Sequence, residues 1–429
     1  MKILLCGINF SPELTGIGKY TGEMAVWLAA QGHVVRVVTA PPYYPDWKVG
    51  DGYKNGWTVE DIRGVVATPK NTTECSAGSL QVWRCPLWVP ARPTGLKRLL
   101  HLASFALSSL PVTLRQVLWR ADVVWVVEPA LFCAPTAVAV ARLCGAKAWL
   151  HVQDFEVDAA FEMGLLRGGW LRHVVVMAES WLMRRFDVVS TISKRMHYRL
   201  ITKGVAAEKA KLAVNWVDMA QFALPSLTGV ASYRQELAIP DGAMVALYSG
   251  NMGGKQGLQV LAEVASLCLD SAAAIVFVFC GNGAGRADLV ARCQGLPNVR
   301  FMDLQPAERL PDLLATADIH LLPQRADAAD LVMPSKLTGM LASARPVVAT
   351  AHPGTELANV VQCCGLVVPP EAPQAMAQAV IALALDPALR ERLGAAGYLY
   401  AVANLDINAV LAKFETELLA LVNRTLAKP

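Results

Sequence analysis

Two glycine-rich turns, each with one basic residue, have the composition to hold an anionic ligand. The first, Ser249-Gly250-Asn251-Met252-Gly253-Gly254-Lys255-Gln256-Gly257, follows an apolar run from Met244 to Tyr248 that reads as a buried strand. It precedes Leu258, Leu261, Val264 and Ala265, spaced as one face of a helix. Glycines at 250, 253, 254 and 257 let the backbone approach a ligand without a Cβ in the way, and a helix start offers unpaired N–H groups to an anion. Lys255 adds a mobile positive charge. An ordinary strand-to-helix turn with a surface lysine would look the same, so this stretch alone leaves both readings open. The second turn, Gly281-Asn282-Gly283-Ala284-Gly285-Arg286, follows the strand Ala274 to Cys280. In a doubly wound sheet, successive strands deliver their C-terminal turns to the same edge. The two turns can then converge on one phosphorylated ligand, expected to be a nucleotide diphosphate.

Further polar residues stand beside apolar strand ends: Asp330, Ser335 and Lys336 after the strand Ile319 to Leu322, and Thr355 and Glu356 after Val347 to Thr350. Helix capping by Ser335 and Glu356 is the structural alternative. Near the N-terminus a third strand, Ile3 to Ile8, runs into a turn containing Gly16 and Gly18. A dinucleotide-binding dehydrogenase starts similarly, but it needs GxGxxG and an acidic residue closing the second strand. Here the second strand, Val34 to Val38, ends in Thr39-Ala40, which argues against that class. Lys147 to Val152 ends in Gln153-Asp154-Phe155-Glu156, placing carboxylates at the ligand edge of the sheet, with capping again the alternative. The stiff aromatic loop Pro41 to Trp47 suits an acceptor site or a surface lid equally.

The elements that must position these residues are strands alternating with helices over 429 residues, too many for one core, so two α/β domains are expected. The boundaries read as 1–221 and 233–429, with 222–232 as a linker and the last helix free to pack back on the first domain. Residues 48–79 read as a hairpin or insertion. The hydrophobic fraction is 54%, yet no uninterrupted apolar run reaches bilayer-spanning length. Met1 to Gly7 passes straight into a glycine turn, so it reads as a strand and not a signal peptide, and a cytoplasmic location is the expectation. The ten cysteines show no metal-binding spacing and read as reduced packing residues. A net charge of +4 is too small to argue for nucleic acid. From Arg92 to Arg120, Lys97, Arg98, Arg115 and Arg120 alternate with leucines around His101 and Pro111. This predicts a pair of basic, apolar helices, lying at a membrane surface or packed on the sheet. Trp170 to Phe186 repeats the mixture.

The ordered set Ser11-Pro12 with Gly16-Ile17-Gly18, Asp154, Asn215 to Asp218, Gly250 with Lys255-Gln256-Gly257, Gly281 with Arg286, Pro334-Ser335-Lys336 and Thr355-Glu356-Leu357 resembles the family-4 retaining glycosyltransferases over nearly the whole chain. Gly7 to Tyr20 and Ser249 to Leu258 further resemble the fucosyltransferases of colanic acid assembly. That resemblance implies the glycosyltransferase-B fold: two Rossmann-like doubly wound α/β domains facing across a cleft, donor in the second and acceptor in the first. It implies same-face attack through an oxocarbenium-like transition state, with Lys255 and Arg286 stabilising charge on the departing nucleotide. Lys255, Asp154 and Glu356 become catalytic candidates. Gly16, Gly18, Gly250, Asn251, Lys255, Gln256, Gly281, Gly283, Arg286, Asp330, Ser335, Lys336, Thr355 and Glu356 become donor-binding candidates. No metal or other cofactor is expected. The implied partners are a sugar nucleotide, GDP-fucose, and a lipid-linked oligosaccharide acceptor of exopolysaccharide synthesis, with the protein held peripherally at the cytoplasmic leaflet of the inner membrane.

Two positions depart from that pattern. Asn251 stands where many members carry arginine, and Leu331 and Gly339 stand where they carry a pair of glutamates, with Asp330, Ser335 and Glu356 as candidate substitutes. A UDP-N-acetylhexosamine transferase, a catalytically silent sugar-nucleotide-binding protein, and an epimerase using His151, Asp154 and Glu356 are the alternatives.

Overall fold

The structure is a computed structural model that describes residues 1–13, 16–62, 78–91, 95–128, 131–155, 158, 169–222, 227–253, 256–326 and 334–426. It forms two compact units, Met1–Val214 with Leu411–Pro429, and Asn215–Val410.

The first unit holds strands β1 (Lys2–Cys6), β2 (Val34–Thr39), β3 (Thr58–Ile62), β4 (Ser79–Arg84), β5 (Val123–Glu128), β6 (Lys147–Val152), β7 (Val188–Thr191) and β8 (Ala210–Leu212). Their order is β3-β4-β2-β1-β5-β6-β7-β8, parallel except for β3, which runs antiparallel to β4. β5, Val-Val-Trp-Val-Val-Glu, is buried along its whole length, as expected of a parallel strand covered on both faces. β1 lies between β2 and β5, so the strand order reverses there and the C-terminal ends of β1 and β5 flank the switch point. Within the segment expected as a hairpin or insertion, β3 is the ordered strand, while 63–77 lie outside the described residues.

The second unit holds β9 (Met244–Ser249), β10 (Ile275–Cys280), β11 (Val299–Met302), β12 (Ile319–Leu322), β13 (Val347–Thr350) and β14 (Gly365–Val368). All are parallel, in the order β11-β10-β9-β12-β13-β14, with the switch point between β9 and β12. Period-2 alternation sends Ala246, Tyr248, Phe277 and Phe279 to one core, and Val245, Leu247, Val276 and Val278 to another. Helices therefore cover both faces, and each unit is a doubly wound α/β layer structure.

Two elements differ from the sequence reading. The stretch read as a linker is helical from Leu227 to Glu236, because burial of Tyr233 outweighs the poor local pattern around Gly229. The expected helix pair is one 21-residue helix, Gly95–Arg115, running through Pro111. The carbonyl that Pro111 leaves unbonded belongs to Leu107, which is 72% exposed, so water can reach it. The last helix, Ile407–Leu426, crosses the unit boundary. Its Phe414 ring stands 4.3 Å from that of Trp125, and Glu415 meets His33 at 2.7 Å.

Candidate active site

In the second unit the two glycine turns are laced together. The amides of Gly250, Met252 and Gly285 donate to the carbonyls of Cys280 (3.0 Å), Asn282 (2.8 Å) and Met252 (2.8 Å). A Cβ on Gly281 would stand 2.0 Å from the Gly250 carbonyl oxygen, and one on Gly283 would stand 2.7 Å from both Asn251 Oδ1 and the Met252 carbonyl. Their φ angles are +147° and +140°. These two glycines thus make room for the neighbouring turn. Gln256 brings a buried Oε1 with no hydrogen-bond partner among the described residues. Lys255, Asp330 and Leu331 lie outside the described residues.

Arg286 reaches the same edge but is paired with Asp303 at 2.9 Å. Lys336 arrives from beyond β12. Its Nζ donates to the Tyr248 hydroxyl at 2.7 Å and sits 4.0 Å from that ring's centroid, while the hydroxyl donates to the Asn251 carbonyl at 2.6 Å. Burial pushes the Lys336 ammonium down to about 7. Ser335 precedes the helix Lys336–Ala342 without capping it. The cap sought in Glu356 is Thr355, whose Oγ1 accepts from the Ala358 amide at 3.3 Å and donates to the His352 carbonyl at 2.8 Å. Glu356 is half-buried, and after burial itself it is the main influence raising the Tyr400 phenol. At 339, where the resemblance expects a glutamate, a Cβ would stand 3.0 Å from Leu314 Cδ1. A side chain there would run into the unit's own packed helix Leu310–Thr316.

The first unit gathers a separate group at the C-terminal edge of its sheet. Glu13 is buried, and its Oε1 accepts from the amides of Tyr43 (3.1 Å) and Tyr44 (3.2 Å), while Oε2 accepts from Asn9 Nδ2 (2.9 Å). Burial outweighs these bonds and pushes its carboxyl up to about 7. Gly18 leaves it space, since a Cβ there would stand 2.5 Å from Glu13 Oε2. Gly16 has φ +64° with nothing near its Cβ position, so it serves the turn's conformation. Asp154 is half-buried and, after burial, is the main influence raising the Tyr44 phenol to about 12. The rings of Tyr43 and Trp47 close on His101 at 4.6 and 5.2 Å. Behind Asp154, buried Asp158 accepts from Lys203 (2.9 Å) and Arg199 (3.0 Å), and Lys203 also bonds buried Glu179. This network ties Asp158 to the helices Gly169–Met183 and Lys194–Thr202.

His151 does not join the group. It is buried in β6, its Nδ1 bonded to Ser190 Oγ at 2.8 Å and its Nε2 2.9 Å from Gln153 Nε2, and burial pushes it down to about 3. It stays neutral with both nitrogens engaged, which removes the histidine from the epimerase reading. Sequence reasoning assigned no role to Glu13 or to Glu128, the buried last residue of β5. The available signal was an acidic residue at the end of an apolar strand or inside a glycine-flanked turn.

A glycosyl transferase 4-like domain matches residues 15–216, and a glycosyl transferases group 1 domain matches 243–386. The chain is 42% identical over 422 residues to the "Putative colanic acid biosynthesis glycosyl transferase WcaI" of Escherichia coli (strain K12), covering 96% of this chain and 98% of that one. Among solved structures it is similar in fold to the sucrose-phosphate synthase of Thermosynechococcus elongatus, with TM-score 0.73, 16% identity and 99% of each chain covered. It is also similar to HepE of Anabaena in complex with UDP-glucose, with TM-score 0.69, 14% identity, and 98% of this chain and 100% of that one covered. The chain belongs to the family-4 glycosyltransferases of the glycosyltransferase-B fold.

Proposed function

We propose that the protein is a retaining glycosyltransferase that moves fucose from GDP-fucose to a lipid-linked oligosaccharide in the assembly of a bacterial exopolysaccharide resembling colanic acid. The observation that carries this reading is the end-to-end similarity to a relative named for colanic acid biosynthesis. The donor lies on the second unit, its diphosphate against the turns after β9 and β10, where Lys255 and Arg286 neutralise the leaving group, Gln256 offers it a hydrogen bond, and Thr355 and Glu356 stand near the sugar or ribose. The acceptor lies on the first unit, near Glu13, Asp154 and the ring cluster of Tyr43, Trp47 and His101. No metal takes part, so EDTA leaves the rate unchanged.

A lipid-linked acceptor requires docking on the cytoplasmic leaflet, and two helices of the first unit support it. Leu96, Leu100, Leu107, Leu110 and Leu114 of the helix Gly95–Arg115 are all exposed, spaced along one face beside Lys97 and Arg115. Trp170, Val174, Met177 and Trp181 are exposed at helical spacing on Gly169–Met183, beside Arg172, Arg184 and Arg185. Among the described residues no helix is long and apolar enough to cross a membrane.

The purified protein with a panel of sugar nucleotides tests the donor assignment through protection from proteolysis and slow donor hydrolysis. Preference for a UDP-sugar would replace fucose by a UDP-N-acetylhexosamine. Binding without hydrolysis or transfer would make the chain a silent sugar-nucleotide-binding protein. Lys255→Ala lowers turnover by about 2–4 kcal/mol in transition-state terms.

A further inference from the structure

The turn after β9 has an uncharged residue, Asn251, directly after Gly250, yet a cation reaches that spot from elsewhere in the chain. Lys336 lies along Gly250, with its Cε and Nζ 3.2 and 3.3 Å from the place where a Cβ on Gly250 would stand. Gly250 has φ +127°, and its missing side chain leaves this approach open. The ammonium is held by a neutral partner, the Tyr248 hydroxyl, which spends its own proton on the Asn251 carbonyl. Among the described residues no carboxylate pairs with Lys336. A half-buried ammonium that faces, among the described residues, a phenol and its ring costs stability, and a methionine of similar length would avoid that cost. The lysine stands at the switch point of the sheet, the ligand edge of this architecture. An anion bound at Gly250 would supply a counter-charge that the described residues do not.

We infer that Lys336 contacts the diphosphate of the donor and supplies the positive charge that residue 251 of this turn lacks, with Tyr248 holding the ammonium at Gly250 until the anion arrives. This rests on the sugar-nucleotide reading above. When the bond between the anomeric carbon and the β-phosphate oxygen breaks, its electron pair stays on that oxygen. Lys336 then faces a larger negative charge than in the ground state. It therefore acts on turnover as well as on binding.

Calorimetric titration with GDP, UDP and inorganic pyrophosphate tests this in the full chain, with a thermal melt of each variant alongside. Lys336→Met is expected to melt at or above the parent temperature, because the half-buried charge is gone. It should bind the preferred nucleotide and pyrophosphate roughly ten- to hundred-fold more weakly. Lys336→Arg should recover most of that loss, and Asn251→Arg in the Lys336→Met background should recover part of it by adding a cation to the same turn. Should Lys336→Met not fold, Lys336→Gln against Lys336→Arg gives the same contrast. Parent-like nucleotide affinity in Lys336→Met or Lys336→Gln overturns the inference while leaving the sugar-nucleotide reading intact. A parent protein that binds neither GDP nor UDP overturns both.

Discussion

The guanidinium of Arg286 meets the carboxylate of Asp303 at 2.9 Å, so a basic side chain that the glycine turns bring to the ligand edge already has a counter-charge. Both groups are substantially exposed, and such a pair contributes about 0–1 kcal/mol. A diphosphate carries more charge than one carboxylate and can draw Arg286 away. Arg286→Ala is therefore expected to weaken nucleoside diphosphate binding about tenfold, whereas Asp303→Ala leaves it unchanged or tightens it. Equal losses in both variants, measured by calorimetry, would make the pair a strut between the turns.

Glu13 should give the fold a pH dependence. Its carboxyl is raised from an ordinary 4.5 to about 7, so between those values the folded protein holds a proton that the unfolded chain releases. The stability it contributes is complete below about 4.5 and is lost as pH rises through about 7, at up to about 1.4 kcal/mol per pH unit. Glu13→Gln cannot ionise and lacks this term. The parent's melting temperature should therefore fall relative to the variant's from pH 5 to pH 8. A constant difference across that range would mean a carboxylate ionised throughout.

Restoring the absent glutamate should not restore a function. Gly339→Glu places a Cβ 3.0 Å from Leu314 Cδ1, and the rest of the side chain must displace that leucine. The expected result is a lower melting temperature, by an overpacking cost of about 1–3 kcal/mol, with no gain in turnover. A faster enzyme would show that position 339 opens toward the donor.

Membrane docking should depend on charge and on leucines together. Lys97→Glu, Arg98→Glu and Arg115→Glu combined should release the protein from anionic liposomes, each basic residue near the surface being worth about 1 kcal/mol. Leu107→Asp with Leu114→Asp should do the same from the apolar side, since both residues are exposed in the free protein. The parent should sediment strongly at low salt and less as salt rises. Nucleotide binding should be unchanged in all variants. Sedimentation of the triple variant at the parent level would mark the helix Gly95–Arg115 as an ordinary covering element of the sheet.

By itself the sequence determined the two-unit α/β plan and nearly every strand of it. β5, β10 and β13 are dominated by Val, Ile, Phe and Ala and are buried along their length, and such a run announces its burial residue by residue. The turns after β9 and β10 were legible for the same local reason: glycine is the residue that permits φ of +127° or +147°. Tertiary structure decided what those glycines are for. Gly281 and Gly283 accommodate the neighbouring turn because β9 and β10 pair, and pairing is not a property of either strand alone. The same holds for the helix at Leu227–Glu236, whose weak local pattern is overridden by burial of Tyr233. It holds for Pro111, tolerated in mid-helix where Leu107, the residue whose carbonyl it leaves unbonded, is exposed. It holds most of all for Lys336, which meets Tyr248 across a separation of 88 residues. The order β9-β12 sets that meeting, and side-chain contacts set by strand order leave no periodic trace in the chain that makes them.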